Sequence, residues 1–203
     1  MKLRQILFIA GVLGAAALPV QRSHAESPVQ PVVSLHASLI DAMKAGGTQS
    51  YADRFTTLSP VVGEAHHFEL IARVVLGAHW SGLEETQRGQ FVQKLRELAV
   101  SNYAKEFDAY KGEAFSDVQT RELKRGQQLV RAKLERPSKA AVRFEYVVAQ
   151  NGGEWGIINV IVDGVSDLAV KRAEYQQVLD GEGFEALMTR MEAQIIERGG
   201  RGV

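Results

Sequence analysis

Four short clusters in the chain have residue types that could do chemistry. His66-His67-Phe68-Glu69 has the donors of a metal site. Adjacent positions on a helix point about 100° apart, so the two imidazoles diverge, and the His spacing of a zincin is missing. The expected reading is a polar helix start, with Glu69 near the positive end of the dipole. His36 and His79 lie elsewhere, one within a helical stretch and one beside Trp80, and offer no ligand pair. Gly181-Glu182-Gly183-Phe184-Glu185-Ala186 spells a dinucleotide pattern, but it joins two helical segments and follows no strand, so nothing feeds a phosphate onto a helix start. Arg198-Gly199-Gly200-Arg201-Gly202 is read as a solvated tail, since two arginines release few counterions. Asp163, Asp167 and Glu174 gather near the end of the last apolar strand and leave an acid–base pocket open, although no partner base is evident. No catalytic residue, metal ligand or cofactor is assigned from these patterns.

Composition narrows the classes further. Of 203 residues, none is cysteine, which excludes disulfides, thiolate metal sites and a catalytic thiol. The 24 bases balance 24 acids, so a nucleic-acid partner, which needs a basic face, is not expected. Lys2 and Arg4 precede an apolar run from Ile6 to Val20, and Ser23-His24-Ala25 closes it in the order of a secretory signal peptide. Those fifteen residues would span about 22 Å as a helix, short of the roughly 30 Å hydrocarbon core, although an uncleaved inner-membrane anchor stays open. Cleavage after Ala25 removes Lys2, Arg4 and Arg22 and no acid, leaving 21 bases to 24 acids, net −3. A mildly acidic periplasmic protein, folded as one domain on its core alone and acting as a monomer, is expected.

The elements that must position any site follow from periodicity. Residues 1–25 are assigned to the signal, 26–31 to an extended lead-in set by Pro28 and Pro31, 32–197 to a single domain and 198–203 to a tail. Val32, Leu35, Leu39 and Met43 form a helical stripe ended by Gly46-Gly47. A short helix over 50–58 stops before Pro60, and another runs over 68–76 to Gly77. The longest stripe, over 84–110, carries Val92, Leu95, Ala99, Tyr103, Phe107 and Tyr110, long enough to suggest a bend. From Phe115 the period becomes two, with Val130, Ala132 and Leu134, then Val142, Phe144, Tyr146 and Val148, each opposite charged neighbours. Asn151-Gly152-Gly153 is a hairpin signal before Trp155 to Val162. Helices return over 168–179 and along Phe184, Leu187, Met188, Met191 and Ile195. This order predicts an α+β fold, with helices packed on one face of a curved antiparallel sheet of about four strands.

Several segments taken in order carry a resemblance. Gly77-Ala78-His79-Trp80, Thr86-Gln87-Arg88, the long helix through Phe91, Leu95 and Tyr103, the run Trp155 to Ser166, and Arg172 with Glu174-Tyr175 resemble the MlaC/toluene-tolerance family. The likeness runs from about Val32 to Ile196. Leu35-His36-Ala37-Ser38-Leu39 with Met43, and Tyr103-Ala104 through Glu113, are most similar to the HpnM branch, associated with hopanoid biosynthesis and transport. Asn159 departs from the family's usual Asp and Tyr175 from its usual Phe, so no ionic contact is expected at 159.

The resemblance implies a periplasmic, non-enzymatic carrier of a membrane lipid, hopanoid or phospholipid, working between inner and outer membranes beside an inner-membrane transporter. It implies an apolar cavity with the lipid as cargo and no cofactor. Candidate wall residues are Leu35, Leu39, Met43, Leu95, Val142, Phe144, Tyr146, Val148, Ile158, Val160, Val162, Leu187 and Met191. Periodicity alone does not distinguish a hollow interior from a filled one. Two alternatives therefore stay open: a pocket enzyme acting on a lipid or isoprenoid intermediate, and a transporter adaptor with a filled core.

Overall fold

A computed structural model describes residues 27–199. The expected signal segment and the last tail residues lie outside that range. Helix α1 (Gln30–Ala45) begins earlier than the lead-in reading allowed: Pro28-Val29 forms a turn, and Pro31 sits in the first helical turn, where its missing N–H has no intrahelical acceptor to lose. Helix α2 (Tyr51–Ala65) opens with a capping box between Ser50 and Asp53. It does not stop before Pro60. Leu58, Val62 and Ala65 continue the buried stripe past the proline, and their burial outweighs the one backbone bond it removes. Helix α3 (Phe68–Leu76) ends at Gly77, and a single turn, α4 (His79–Gly82), leads to α5 (Glu85–Glu106). The stripe expected to reach Tyr110 ends four residues early and without a break, because buried Phe107 leaves helical geometry to stack near Phe115, with ring centroids 6.4 Å apart.

The sheet is an open meander, β1 (Ala114–Glu122), β2 (Gln128–Arg136), β3 (Lys139–Asn151), β4 (Glu154–Val162) and the two-residue β5 (Val165–Ser166), each antiparallel to the next. It is curved and unclosed. Gly152 and Gly153 both take positive φ, 62° and 92°, and make the two-residue turn read from Asn151-Gly152-Gly153. At the far end, Asp163 and Gly164 turn β4 into β5, and Ser166 caps α6 (Asp167–Glu182) by accepting from the Ala169 N–H at 3.1 Å. Helix α7 (Phe184–Gly199) closes the chain.

Helices α2 and α7 flank α5, and α6 packs on α3. All lie on the apolar face of the sheet, while Arg131, Lys133, Arg143 and Glu145 occupy the other, with Arg131 and Glu145 paired across β2 and β3. Toward the hairpin end the interior is filled: Leu35, Leu39, Leu58, Val62, Phe91, Leu98, Tyr146, Val148, Leu187 and Met191 are all essentially inaccessible. One clasp joins the two layers beside the cavity. His36 of α1 stacks on Phe115, with centroids 3.6 Å apart, and hydrogen-bonds Tyr146 of β3.

Candidate functional site

Toward the opposite end the layers separate around an open cavity of about 760 Å³. Its sheet wall is Leu134 from β2, Val142 and Phe144 from β3, and Ile157, Ile158, Val160 and Val162 from β4. Phe68 and Ile71 come from α3, Leu95, Ala99 and Tyr103 from α5, Leu168 from α6 and Met43 from the end of α1. The α5 residues recur at four, so one helical face supplies them. On β4 the register slips between Val147 and Val148, which opposes an extra residue to β3. Strict alternation is lost there, so the adjacent residues Ile157 and Ile158 both line the hollow.

Seven of the thirteen residues proposed from sequence meet here: Met43, Leu95, Val142, Phe144, Ile158, Val160 and Val162. The other six, Leu35, Leu39, Tyr146, Val148, Leu187 and Met191, do not reach the cavity and belong to the packed end instead. The reason is position along the elements. Tyr146 and Val148 sit nearer the hairpin than Phe144, where α1 covers the sheet, and Leu187 and Met191 face α5 from α7. Sequence reasoning missed Phe68, Ile71, Leu134, Leu168 and the aromatic pair Tyr103 and Phe107 as wall residues. For Tyr103 and Phe107 the signal existed, since both share Leu95's stripe.

The histidine pair is split as its spacing required. The His67 N–H donates to the Ile157 carbonyl at 3.0 Å and the His67 Nε2–H to the Glu154 carbonyl at 3.1 Å, fastening the α2–α3 corner to β4. Gly156 permits that approach, because a Cβ there would stand 2.7 Å from the imidazole. His66 points the other way and lines the cavity. Its Nδ1–H donates to the Val62 carbonyl at 2.9 Å, which leaves Nε2 as an acceptor facing the Tyr103 hydroxyl at 3.4 Å. Burial lowers the His66 pKa to about 4, against smaller upward effects of the Val62 bond and the Asp167 charge. Burial likewise raises the Tyr103 pKa, and Asp167 adds to it. Both groups are neutral at ordinary pH. Asn159 is committed elsewhere: its Oδ1 accepts from Ser166 Oγ at 3.1 Å and the Leu168 N–H at 3.2 Å, so the amide holds the strand to the α6 start.

Charge is confined to the rim. The loop 107–113, the β2–β3 turn with Arg136 and Lys139, and the α6 start with Asp167 and Lys171 surround the opening. Asp167 and Lys171 pair with each other, and Asp163 Oδ1 accepts the Arg143 N–H at 2.9 Å. Among the described residues no group of three or more His, Asp or Glu side chains is placed to hold a metal ion. An apolar interior with ionic groups at its lip suits an amphiphile, tails inward and polar end outward.

Comparison with known proteins agrees with this geometry. The family model described as "MlaC protein" matches residues 34–193. Among solved structures, the phospholipid-binding protein from Ralstonia solanacearum, determined in complex with a phospholipid, superposes with a TM-score of 0.73 at 14% identity, covering 87% of this chain and 99% of that one. No curated protein matches in sequence.

Proposed function

The chain belongs to the MlaC family, and from that premise we propose that it is a periplasmic lipid-binding carrier. It moves a phospholipid or hopanoid between the inner and outer membranes, receiving or delivering its cargo at an inner-membrane transporter. The observation that carries this reading is the open, apolar cavity of about 760 Å³, within the ~300–1,000 Å³ range of small-molecule sites. Exposing hydrocarbon to water costs about 0.8 kcal/mol per methylene, so one sixteen-carbon tail costs roughly 12 kcal/mol, and a pocket that covers the tail removes that barrier without any catalyst. The phospholipid complex of the structural neighbour supports the same use of the fold.

The His66–Tyr103 pair is what favours the second reading, a pocket enzyme, because a buried histidine with a partner in reach is what acid–base chemistry needs. Three facts weigh against it. Nδ1 is tied to a helix carbonyl, the pKa near 4 lies far from a working general base, and among the described residues no carboxylate hydrogen-bonds the ring. The filled-core adaptor loses its premise, because the interior is not filled.

The test is organic extraction of the purified exported protein followed by mass spectrometry. About one lipid per protein is expected, and its mass separates hopanoid from phospholipid. Extracts with no lipid, together with no uptake from vesicles, would overturn the proposal.

A further inference from the structure

We propose that His66 and Tyr103 form a subsite that binds an alcohol hydroxyl carried on the hydrocarbon part of the cargo. The inference rests on the carrier reading and names a feature of what is carried. A wall built only to shelter hydrocarbon would have no use for this pair. Both residues line the cavity, and the only hydrogen-bond partner of the Tyr103 hydroxyl among the described residues is His66 Nε2, at 3.4 Å. That distance is long for an O–H···N bond, and a buried hydroxyl without a good partner is destabilising.

The valences decide what fits. With Nδ1–H given to Val62, the neutral ring has one free lone pair on Nε2. When the Tyr103 O–H donates to it, the phenol oxygen is left to accept from a ligand. When the phenol turns toward the ligand instead, Nε2 is left to accept. In either arrangement the pair takes a hydrogen from the guest, and in the second it also gives one. An alcohol both donates and accepts, so it satisfies either state. A ketone or ester carbonyl satisfies only the second and leaves Nε2 unpaired. An ionised carboxylate only accepts, so it likewise leaves Nε2 unpaired. Asn159, an amide on this wall, is already bonded through its oxygen to Ser166 and the Leu168 N–H, so that oxygen does not compete for the role.

The hydroxyl could sit on an acyl chain or on a rigid polycyclic skeleton, and the experiment separates the two. The exported protein is delipidated, and a fluorescent fatty acid is displaced with stearate, with hydroxystearates bearing the group at successive carbons, and with cholesterol beside cholestane. At least one alcohol should bind about five- to tenfold more tightly than its hydroxyl-free counterpart, the effect of one well-made hydrogen bond. In Tyr103→Phe that ratio should collapse to about one, and His66→Leu should reduce it in the same direction. Because the readout is a ratio within each variant, a general loss of affinity cancels. Equal affinities in the wild type, or a ratio that survives Tyr103→Phe, would overturn the subsite while the carrier reading stands. Failure of the probe and of every lipid to bind would remove the carrier reading, and the subsite with it.

Discussion

His36 Nε2 lies 2.9 Å from the Tyr146 hydroxyl, joining α1 to the middle of the sheet across 110 residues of sequence. The bond is buried, and neither residue lines the cavity. Tyr146→Phe therefore leaves a buried imidazole nitrogen without its partner and should cost about 1–3 kcal/mol in urea unfolding. Co-purified lipid should be unchanged. Lost lipid with unchanged stability would mean that Tyr146 belongs to the wall after all.

Filling the hollow should separate binding from folding. Leu95→Trp pushes an indole into the cavity, and Val160→Arg places a charge on its sheet wall. Each should lower bound lipid at least about tenfold, as expected if roughly 1.4 kcal/mol or more of cargo affinity is lost, while the circular dichroism spectrum persists. Leu187→Ala is the converse. It opens a void in the packed end and should cost about 2–5 kcal/mol with cargo retained. Equal lipid content in all three variants would refute the assignment of walls.

Acid should destabilise the protein in a defined window. His36 and His66 titrate near 4 in the fold, against an ordinary 6.5, because burial penalises the charged ring. Below pH 6.5 the unfolded chain takes up protons that the native state refuses. Stability is therefore intact above 6.5 and falls as pH drops toward 4, by roughly 3 kcal/mol per histidine at the acid end. Unfolding free energies measured from neutral pH down to about 4 should slope accordingly, and less steeply in His36→Gln. A flat wild-type profile would show that these rings are not held neutral.

Gly46 controls the lip of the cavity through backbone contact. A Cβ at this position would stand 1.8 Å from the Asp108 carbonyl oxygen, in the loop that borders the opening. Its φ of −57° is ordinary, so the requirement is space and not conformation. Gly46→Ala must displace the 107–113 loop, and a loss of about 1–3 kcal/mol is expected by analogy with overpacking, together with faster lipid release in stopped-flow transfer to vesicles. Unchanged release would show that this loop does not border the exit.

Much of the architecture was legible because the stripes and alternations are clean. Asn151-Gly152-Gly153 marked its turn, Gly77 its helix end, and Leu95 its face. Pro60 misled because local propensity was outweighed by the burial of Val62 and Ala65 beyond it. The wall was half legible, since an apolar position looks the same whether it faces a neighbour or a hollow. Leu39 and Met43 share one stripe, yet only Met43 reaches the cavity, and only the divergence of the layers decides it. Ile157 was hidden for a different reason: the β4 bulge changes the parity of the strand between Val160 and the hairpin. His66 was noticed as a metal-like motif, but its meeting with Tyr103 depends on how α2 packs on α5.

The meander never joins its first strand to its last. No hydrogen-bonded hoop therefore fixes the girth of the space beneath it, and the perimeter is completed on one side by the 107–113 loop and the β2–β3 turn. Widening that perimeter strains loop torsions and breaks no ladder, so guests of unequal breadth can be seated by one sequence, while the filled hairpin end keeps its shape throughout.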